Sequence, residues 1–441
     1  MRRLILPALT ALAALAACQQ PASIPPTAVD NAAPPAPAEP ATETPPAPVS
    51  DMTDETLRTL AEGNNRFAWS LYDTLNAKGG NVFVSPASVS GAFGLLYPGA
   101  AGETATQMAG LFGYDAVPAD MFPAAEKALS DAIVTDTDTA KLTIANAVWL
   151  REGSELQAAY RAAVQDVMMA KVALVDFTRP AAAAGLINAW VEDHTNDRIK
   201  DLIPPSAIRP ALTELILTNA VWFKADWKSP FKAESTGNGT FYAPGGEITA
   251  KLMNQTLKKA RYLSRDGYAA LDLDYSGDDY ALTLILPEAQ DGLGAVESAM
   301  TPEAFTTLLA NMDTAAEKRV HVVMPKVKIE ADYNLNDAMM ALGLGDLFTS
   351  NADFSGLIEG AGPGDLQISQ VLHKTFLEID EKGTEAAAAT AIIMERTAIF
   401  IPDEEPVEFR ADHPFLIALR HKPTGTVMFI GRVEAPPAAE D

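Results

Sequence analysis

The sequence predicts a mixed α+β fold, and three features of the 441-residue chain favour it. Apolar residues recur at helical spacing mainly in the first half, whereas alternating, strand-like runs dominate the second half. The chain has no internal repeat, and 48% of its residues are hydrophobic, which is enough for a large core. Helices come early and strands late, which disfavours a doubly wound parallel sheet.

The first half contains the clearest helical pattern. Apolar side chains in residues 56–75 fit one helical face, namely Leu57, Leu60, Phe67, Ala68, Leu71 and Leu75. A short strand at 81–84 then leads to an apolar helix at 89–96. A glycine-rich turn at 99–104 leads to a further helix.

The rest of the chain predicts mostly strands. The elements, in chain order, are a strand over 142–150, a helix around 187–195, strands over 215–224, 271–275, 281–286 and 320–327, a helix over 335–344, and strands over 371–379, 416–420 and 427–433. Residues 422–425 separate the last two strands and have the composition of a hairpin turn.

The first 18 residues have the pattern of an export signal. Arg2 and Arg3 precede an apolar stretch that is too short to span a membrane. The sequence Leu-Ala-Ala-Cys at 15–18 resembles the bacterial lipobox, in which the cysteine is lipidated; an ordinary signal-peptidase site beside a chance cysteine is the alternative. Gln19 favours sorting to the outer membrane. We therefore predict an exported protein, anchored through lipid at Cys18 on the periplasmic or cell-surface side.

Composition divides the chain into four segments. They are a signal peptide over residues 1–18, a Pro- and Ala-rich flexible tether over 19–54, a folded domain over 55–435 and a disordered tail over 436–441. The tether has almost no large apolar residues and so cannot bury a core.

Charge and motifs argue against several classes of function. The net charge of −25 argues against binding to nucleic acid or to anionic membranes, because both need basic clusters. One cysteine allows no intrachain disulfide, and the five histidines lack metal-ligand spacing. No phosphate loop, dinucleotide fingerprint or nucleophile elbow is present. We expect no metal, no cofactor and no catalytic residues, and a monomer that meets a membrane only through its lipid.

The segment EKGTEAAAAT at 381–390 is the most informative part of the chain. Its four consecutive alanines favour an exposed helix or a spacer on propensity alone. If the segment is a strand, one face carries four small residues, Thr384, Ala386, Ala388 and Thr390. Such a strand fits between two packed strands, with Gly383 as a freely turning residue at its base. The residues alone leave both interpretations open.

The order of the elements and four motifs resemble the serpin family over about residues 55–435. The motifs are NVFVSPAS at 81–88 with GAAGET at 99–104, LTNAVWFK at 217–224 with Trp227, EKGTEAAAAT at 381–390 and FRADHPF at 409–415. The third matches the hinge of the serpin reactive loop, and the last resembles the C-terminal serpin signature. The resemblance implies three β-sheets, about nine helices and an exposed reactive-centre loop.

The resemblance also implies a protease inhibitor that acts as a suicide substrate, and not an enzyme. In serpins, a serine or cysteine protease cleaves the loop, and the hinge then inserts into the main sheet and traps the covalent complex. This loop insertion is an established case of strand addition and of strain release. The hinge residues carried over are Glu381, Gly383, Thr384, Glu385, Ala386, Ala387, Ala388, Ala389 and Thr390. A non-inhibitory serpin that acts as a binding or carrier module is the alternative.

The resemblance also implies a position for the cleaved bond, through the loop length of typical inhibitors. Residues 383–397 have the length typical of inhibitors, which places the bond between Thr397 and Ala398. A small residue before the bond favours an elastase-like target. Cleavage one position earlier, between Arg396 and Thr397, would suit a trypsin-like protease and is the second choice.

Two more groups of residues are carried over from the resemblance. The cluster beneath the point where the strands of the main sheet separate corresponds to Ser85, Ser88, Asn219 and His373. The region where the loop first enters the sheet corresponds to Trp227, Lys326 and Glu381, the last two as an ion pair. These residues also have ordinary interpretations. Buried histidine and tryptophan are common in protein cores, and exposed ion pairs contribute little to stability.

Overall fold

The computed structural model describes residues 53–384 and 405–439. The chain divides into two units, Met1–Ala47 and Pro48–Asp441, and every described residue belongs to the second. The predicted signal peptide and most of the predicted tether therefore lie outside the described residues. At the other end, the N–H of Ala439 donates to the carbonyl of Thr249 at 2.8 Å, within the segment predicted to be a disordered tail.

Nine α-helices form within the described residues, as the resemblance implied. They are α1 Asp54–Asn76, α2 Pro86–Gly94, α3 Gly102–Phe112, α4 Phe122–Ile133, α5 Ala158–Arg161, α6 Pro180–His194, α7 Leu293–Ala299, α8 Pro302–Thr314 and α9 Asn336–Met339. The side chains of Thr53, Ser85 and Thr301 cap α1, α2 and α8 by accepting hydrogen bonds from backbone N–H groups. None of the described helices is long and apolar enough to cross a bilayer.

Sixteen strands also lie within the described residues. They are β1 Val82–Val84, β2 Thr135–Asp136, β3 Ala140–Arg151, β4 Lys171–Val175, β5 Leu215–Asp226, β6 Gly237–Ala243, β7 Gly246–Arg265, β8 Tyr268–Asp274, β9 Tyr280–Pro287, β10 Glu317–Pro325, β11 Val327–Asn334, β12 Ile368–Ile379, β13 Gly383–Thr384, β14 Val407–Arg410, β15 Phe415–His421 and β16 Thr426–Val433. The single strand predicted over 320–327 is wrong, because Lys326 separates β10 from β11.

The main sheet has seven strands in the order β11-β12-β13-β5-β3-β2, with β4 paired to β3. Its central strand β5 is almost entirely buried, as its mostly apolar sequence over 215–223 requires. On one face of the sheet, Ile187 and Val191 of α6 belong to the same apolar cluster as Trp149 of β3 and Leu372 of β12. The sheet is therefore covered on the face that carries α6 and also contributes to the larger core.

The second network has nine strands, in the order β1-β16-β15-β9-β8-β7-β10-β14, with β6 paired to β7. Strand β7 is 20 residues long and pairs first with β6 and β10 and then, at its end, with β8. This change of partner divides the network into two sheets, so the described strands form three sheets in total. Both sheets and the main sheet contribute to the larger core together with α1 and α2. The mixed α+β prediction is confirmed.

Candidate functional site in the main sheet

The main sheet is closed at one end and divided at the other. Strands β12 and β5 pair in parallel over residues 368–375 and 215–221. Beyond this ladder, β13 lies between the two strands and runs antiparallel to both, with Thr384 as its last described residue. Residues 376–378 and 222–224 lie between the ladder and β13, and no pairing joins them to each other. Each of these stretches therefore has an edge facing the other strand that no ladder between described residues occupies.

Gly383 and Thr384 fit the space between the strands for different reasons. A Cβ on Gly383 would lie 2.0 Å from the carbonyl oxygen of Ala225, so no side chain fits there. The prediction that Gly383 is a freely turning residue is wrong, because Gly383 pairs as part of a strand and its φ is not positive. The glycine is needed because the two backbones approach each other closely. The buried Thr384 places its hydroxyl 2.6 Å from that of Tyr275.

The turn that precedes β13 is held by side-chain and backbone hydrogen bonds. Asp380 Oδ1 accepts from the N–H groups of Lys382 at 2.8 Å and Gly383 at 3.2 Å. The N–H of Trp227 donates to the carbonyl of Lys382 at 2.7 Å. The chain that follows β5 therefore fixes the base of the hinge through its backbone.

Trp227 lies beside this turn and is only 3% exposed. Its ring stacks on Tyr275 with centroids 4.4 Å apart, and its Nε1 donates to the carbonyl of Asp380 at 3.0 Å. Since Tyr275 also contacts Thr384, one aromatic pair contacts both the turn and the first buried hinge side chain. Trp227 therefore lies against the base of the hinge.

Lys326 and Glu381 form an ion pair at the same place. Nζ of Lys326 lies 2.7 Å from Oε2 of Glu381, whose side chain is 14% exposed. Burial alone would raise the pKa of Glu381, but hydrogen bonds from Lys326 and from the backbone outweigh it and lower the pKa below its usual value. The pair therefore joins the junction of β10 and β11 to the hinge as a charged contact.

The four cluster residues lie together near the end of the parallel ladder, and all are buried. His373 hydrogen-bonds Asn219 Oδ1 through Nδ1, and its Nε2 accepts from the N–H of Ser85 at 3.1 Å. Asn219 Nδ2 donates to Ser88 Oγ at 2.5 Å. Ser85 Oγ donates to the carbonyl of Met428 at 2.7 Å. The cluster thus connects β12 and β5 to the start of α2 and to the sheet beneath.

His373 makes these contacts as a neutral ring. Because Nε2 accepts from Ser85, the proton of the neutral ring is on Nδ1, which donates to Asn219. Burial lowers the pKa of His373 to about 3, so the ring stays uncharged at neutral pH. Its hydrogen bonds thus satisfy a buried residue and also hold the two strands together.

Sequence reasoning missed Asn146 and Tyr275. Asn146 Oδ1 accepts from Asn219 Nδ2 at 2.5 Å, and its Nδ2 donates to the carbonyl of Ser88 at 3.0 Å, so it belongs to the cluster. It lies in the middle of an apolar strand, where a lone amide needs a buried partner, and this was the available signal. Tyr275 had no comparable signal, because its partner Thr384 is more than a hundred residues away.

Several predicted site residues lie outside the described part of the chain. They are the hinge residues Glu385, Ala386, Ala387, Ala388, Ala389 and Thr390, the bond residues Arg396, Thr397 and Ala398, and Cys18. Within residues 53–384 and 405–439, no group of three His, Cys, Asp or Glu side chains is placed to hold a metal ion.

Comparison with protein families identifies the fold around this site. The family model described as serpin (serine protease inhibitor) matches residues 62–436. The chain belongs to the serpin family. Leukocyte elastase inhibitor of Bos taurus is 35% identical over 391 residues, which is 86% of this chain and 100% of that protein.

Solved serpin structures share the architecture. Serpin48 of Tenebrio molitor has a TM-score of 0.77 and 27% identity, and the match covers 88% of this chain and 100% of that one. Human thyroxine-binding globulin in complex with thyroxine has a TM-score of 0.76 and 27% identity over 86% of this chain and 99% of that one. Serpins are commonly protease inhibitors and not enzymes, and some members are non-inhibitory.

Proposed function

We propose that this serpin inhibits a serine protease, with a cysteine protease as the alternative target, and that it acts as a suicide substrate. Cleavage of its loop forms an acyl-enzyme, and insertion of the hinge between β12 and β5 traps it. The observation that carries the proposal is the position of β13. Both of its residues pair with β5 and Thr384 also pairs with β12, and the stretches 376–378 and 222–224 beyond it are not paired with each other. A longer strand therefore has a place to continue.

The pairing of β13 sets the register of the residues that follow it. Thr384 lies opposite Ile379 of β12 and Ala225 of β5. In an antiparallel ladder, each step forward on one strand is a step backward on its partner. Thr390 is six residues beyond Thr384, so it would lie opposite His373 of β12 and Asn219 of β5, which both belong to the cluster.

His373 and Asn219 lie opposite each other in the parallel ladder and share a hydrogen bond. Insertion as far as Thr390 requires them to separate. In return, the inserted strand replaces one parallel ladder with two antiparallel ladders, which are more stable per residue. The cluster therefore resists opening of the sheet, and the new ladders favour the inserted state.

Side-chain alternation explains the composition of the hinge under this proposal. Thr384 points to the buried face where Tyr275 lies. Every second residue after it would point the same way, namely Ala386, Ala388 and Thr390. These side chains are small, so the strand inserts without forcing bulk into a packed core.

We place the cleaved bond between Thr397 and Ala398 and infer an elastase-like target. The small residue before the bond and the similarity to leukocyte elastase inhibitor of Bos taurus support this choice. Cleavage between Arg396 and Thr397 by a trypsin-like protease remains the second choice.

The competing function is that of a carrier, by analogy with thyroxine-binding globulin. Composition argues against it, because residues 383–390 contain no proline and no large apolar side chain. Insertion would be blocked by such residues, and a carrier has no need to exclude them.

The test is incubation of the purified protein with an elastase-like and a trypsin-like protease, followed by denaturing gels and mass spectrometry. We expect a covalent complex that survives denaturant and a released peptide that begins at Ala398. A peptide that begins at Thr397 would instead assign the bond to Arg396. Clean cleavage by both proteases with no complex would reject inhibition and favour the carrier function.

We also infer that the protein is exported and held at the outer membrane by lipid on Cys18. The support is the lipobox-like sequence at 15–18 and the uniqueness of this cysteine. Such an anchor would place the inhibitor at the cell envelope, where secreted proteases act.

A further inference from the structure

A row of charged side chains crosses the main sheet just beyond the end of β13, on the face that carries α6. From one edge of the sheet to the other, the row consists of Lys328, Glu378, Lys224, Lys141 and Asp136. Side chains that lie directly opposite each other on paired strands are close enough to interact. Between Glu378 of β12 and Lys224 of β5, no ladder of the described chain joins the strands. The row is therefore interrupted by the space that a longer β13 would fill.

The charges of this row are matched at both ends but not beside the space. Lys328 lies opposite Glu378, and Lys141 lies opposite Asp136, with Nζ of Lys141 3.3 Å from Oδ2 of Asp136. Lys224 instead lies opposite Lys141, a like charge, which is an unfavourable arrangement. Within the described chain, no hydrogen bond or ion pair joins the half-buried side chain of Lys224 to another residue. A negative charge is therefore missing on the side of Lys224 that faces β12.

The residue that follows Thr384 in the chain carries this negative charge. The pairing of β13 places each further residue of the hinge one step back along both β12 and β5. Glu385 would therefore lie between Glu378 and Lys224. Because side chains alternate and Thr384 points into the core, the carboxylate of Glu385 would point to the face that carries the charged row.

We propose that Lys224 is a positioning residue for loop insertion, and that its ammonium group pairs with the carboxylate of Glu385 as the hinge extends β13. This inference rests on the proposed inhibition. Glu378, on the other side of Glu385, has Lys328 opposite it, which offsets its repulsion. Asp226 lies two residues along β5 and forms no described ion pair with Lys224. Insertion then leaves every charge of the row beside an opposite charge.

The experiment measures how acylated protease divides between covalent complex and release of cleaved serpin, from band intensities on denaturing gels. It uses whichever of the elastase-like and trypsin-like proteases cleaves the loop. Both products arise after acylation, so their ratio does not depend on how fast the protease binds. Lys224→Glu places a further carboxylate beside Glu378 and Glu385, so the ratio of cleaved serpin to complex should rise about threefold or more.

Two further measurements separate a charge pair from a merely structural role. Adding Glu385→Lys to Lys224→Glu restores opposite charges and should return the ratio to about the wild-type value. In about 1 M salt the difference between wild type and Lys224→Glu should shrink, because the Debye length falls to about 3 Å.

A matched control and a second route use other variants. Lys171→Glu makes the same change of charge on an exposed lysine of β4, which β5 and β3 separate from β13, and it should leave the ratio unchanged. If Lys224→Glu does not fold, Lys224→Gln and Glu385→Gln each remove one charge of the pair. The double variant should then be no worse than either single variant.

Each outcome decides the assignment. A wild-type ratio in Lys224→Glu, with complex formed by both proteins, overturns the pairing and leaves the proposed inhibition standing. A rise that Glu385→Lys does not reverse also overturns it, because Lys224 would then act without Glu385. Clean cleavage of the wild type with no complex overturns this inference together with the proposed inhibition.

Discussion

His373 illustrates at the residue scale how a neutral side chain connects two strands. It is fully buried and bridges Asn219 and the backbone of Ser85. Its burial and strand face follow from the sequence, because His373 alternates with Val371, Leu377 and Ile379. Its partners do not follow, because Ser85 and Asn219 are far away in the chain and only the fold brings them together.

The lowered pKa of His373 predicts a dependence of stability on pH. Between about pH 6.5 and about pH 3 the unfolded chain takes up a proton that the folded chain does not, so the free energy of unfolding falls as pH falls. From pH 7 to pH 5 the loss from His373 is about 2 kcal/mol. Denaturant titrations of wild type and His373→Gln at both pH values measure it. Equal losses in the two proteins would contradict this assignment.

Gly383 predicts a second effect at the residue scale. In Gly383→Ala the added Cβ would collide with the carbonyl of Ala225, at a cost of about 1–3 kcal/mol to the state in which β13 is paired. We expect more of the variant to be cleaved as a substrate and less to form a covalent complex with protease. Gly237→Ala is the control, since an added Cβ there meets nothing within 4 Å. A Gly383→Ala variant as efficient as this control would show that close approach at residue 383 is unimportant.

At the scale of elements, the central question is how the chain continues beyond β13. Thr384 points into the core, so Ala386 should point the same way and Ala387 should point outward. An arginine on the core side cannot be packed without burying a charge, whereas one on the outer side can reach solvent.

We therefore expect Ala386→Arg to turn the inhibitor largely into a substrate and Ala387→Arg to have a much smaller effect. The fraction of protease captured as covalent complex, measured on denaturing gels, distinguishes the two. Similar losses in both variants would contradict the register, and no loss in either would contradict insertion itself.

The hydrophobic pattern predicted regular, mostly apolar strands well and irregular strands poorly. The run Leu215 to Phe223 is apolar except at Thr218 and Asn219, and it forms the central strand β5. Strand β7 was not predicted, although it is the longest described strand. Leu252 and Met253 are both buried in it, at the point where pairing with β6 ends and pairing with β10 begins, so its alternation is interrupted there. A simple period of two cannot detect such a strand.

At the scale of the whole molecule, the fold class could be predicted from the order of helices and strands, and the family from short motifs. The closed and divided ends of the main sheet could not be predicted. They depend on how β5 pairs with β12 and β13, and β5 is distant from both in the chain. Residue spacing within one segment carries no information about such pairings.

The predicted anchor gives a test at the same scale. Expressed in a Gram-negative host, the wild type should fractionate with membranes and carry acyl chains on Cys18, whereas Cys18→Ser should be soluble or retain its signal peptide. Membrane flotation and mass spectrometry of the N-terminus measure both. Wild-type protein that is soluble and unmodified would contradict the lipid anchor.

Thermal denaturation before and after cleavage of the loop tests the central claim most directly. If the hinge extends β13 between β12 and β5, cleavage at the predicted bond should raise the unfolding temperature by about 10 °C or more, because two antiparallel ladders replace the single parallel one. The Ala386→Arg variant should show little of this rise. A cleaved wild type that unfolds at the same temperature as the intact protein would contradict insertion.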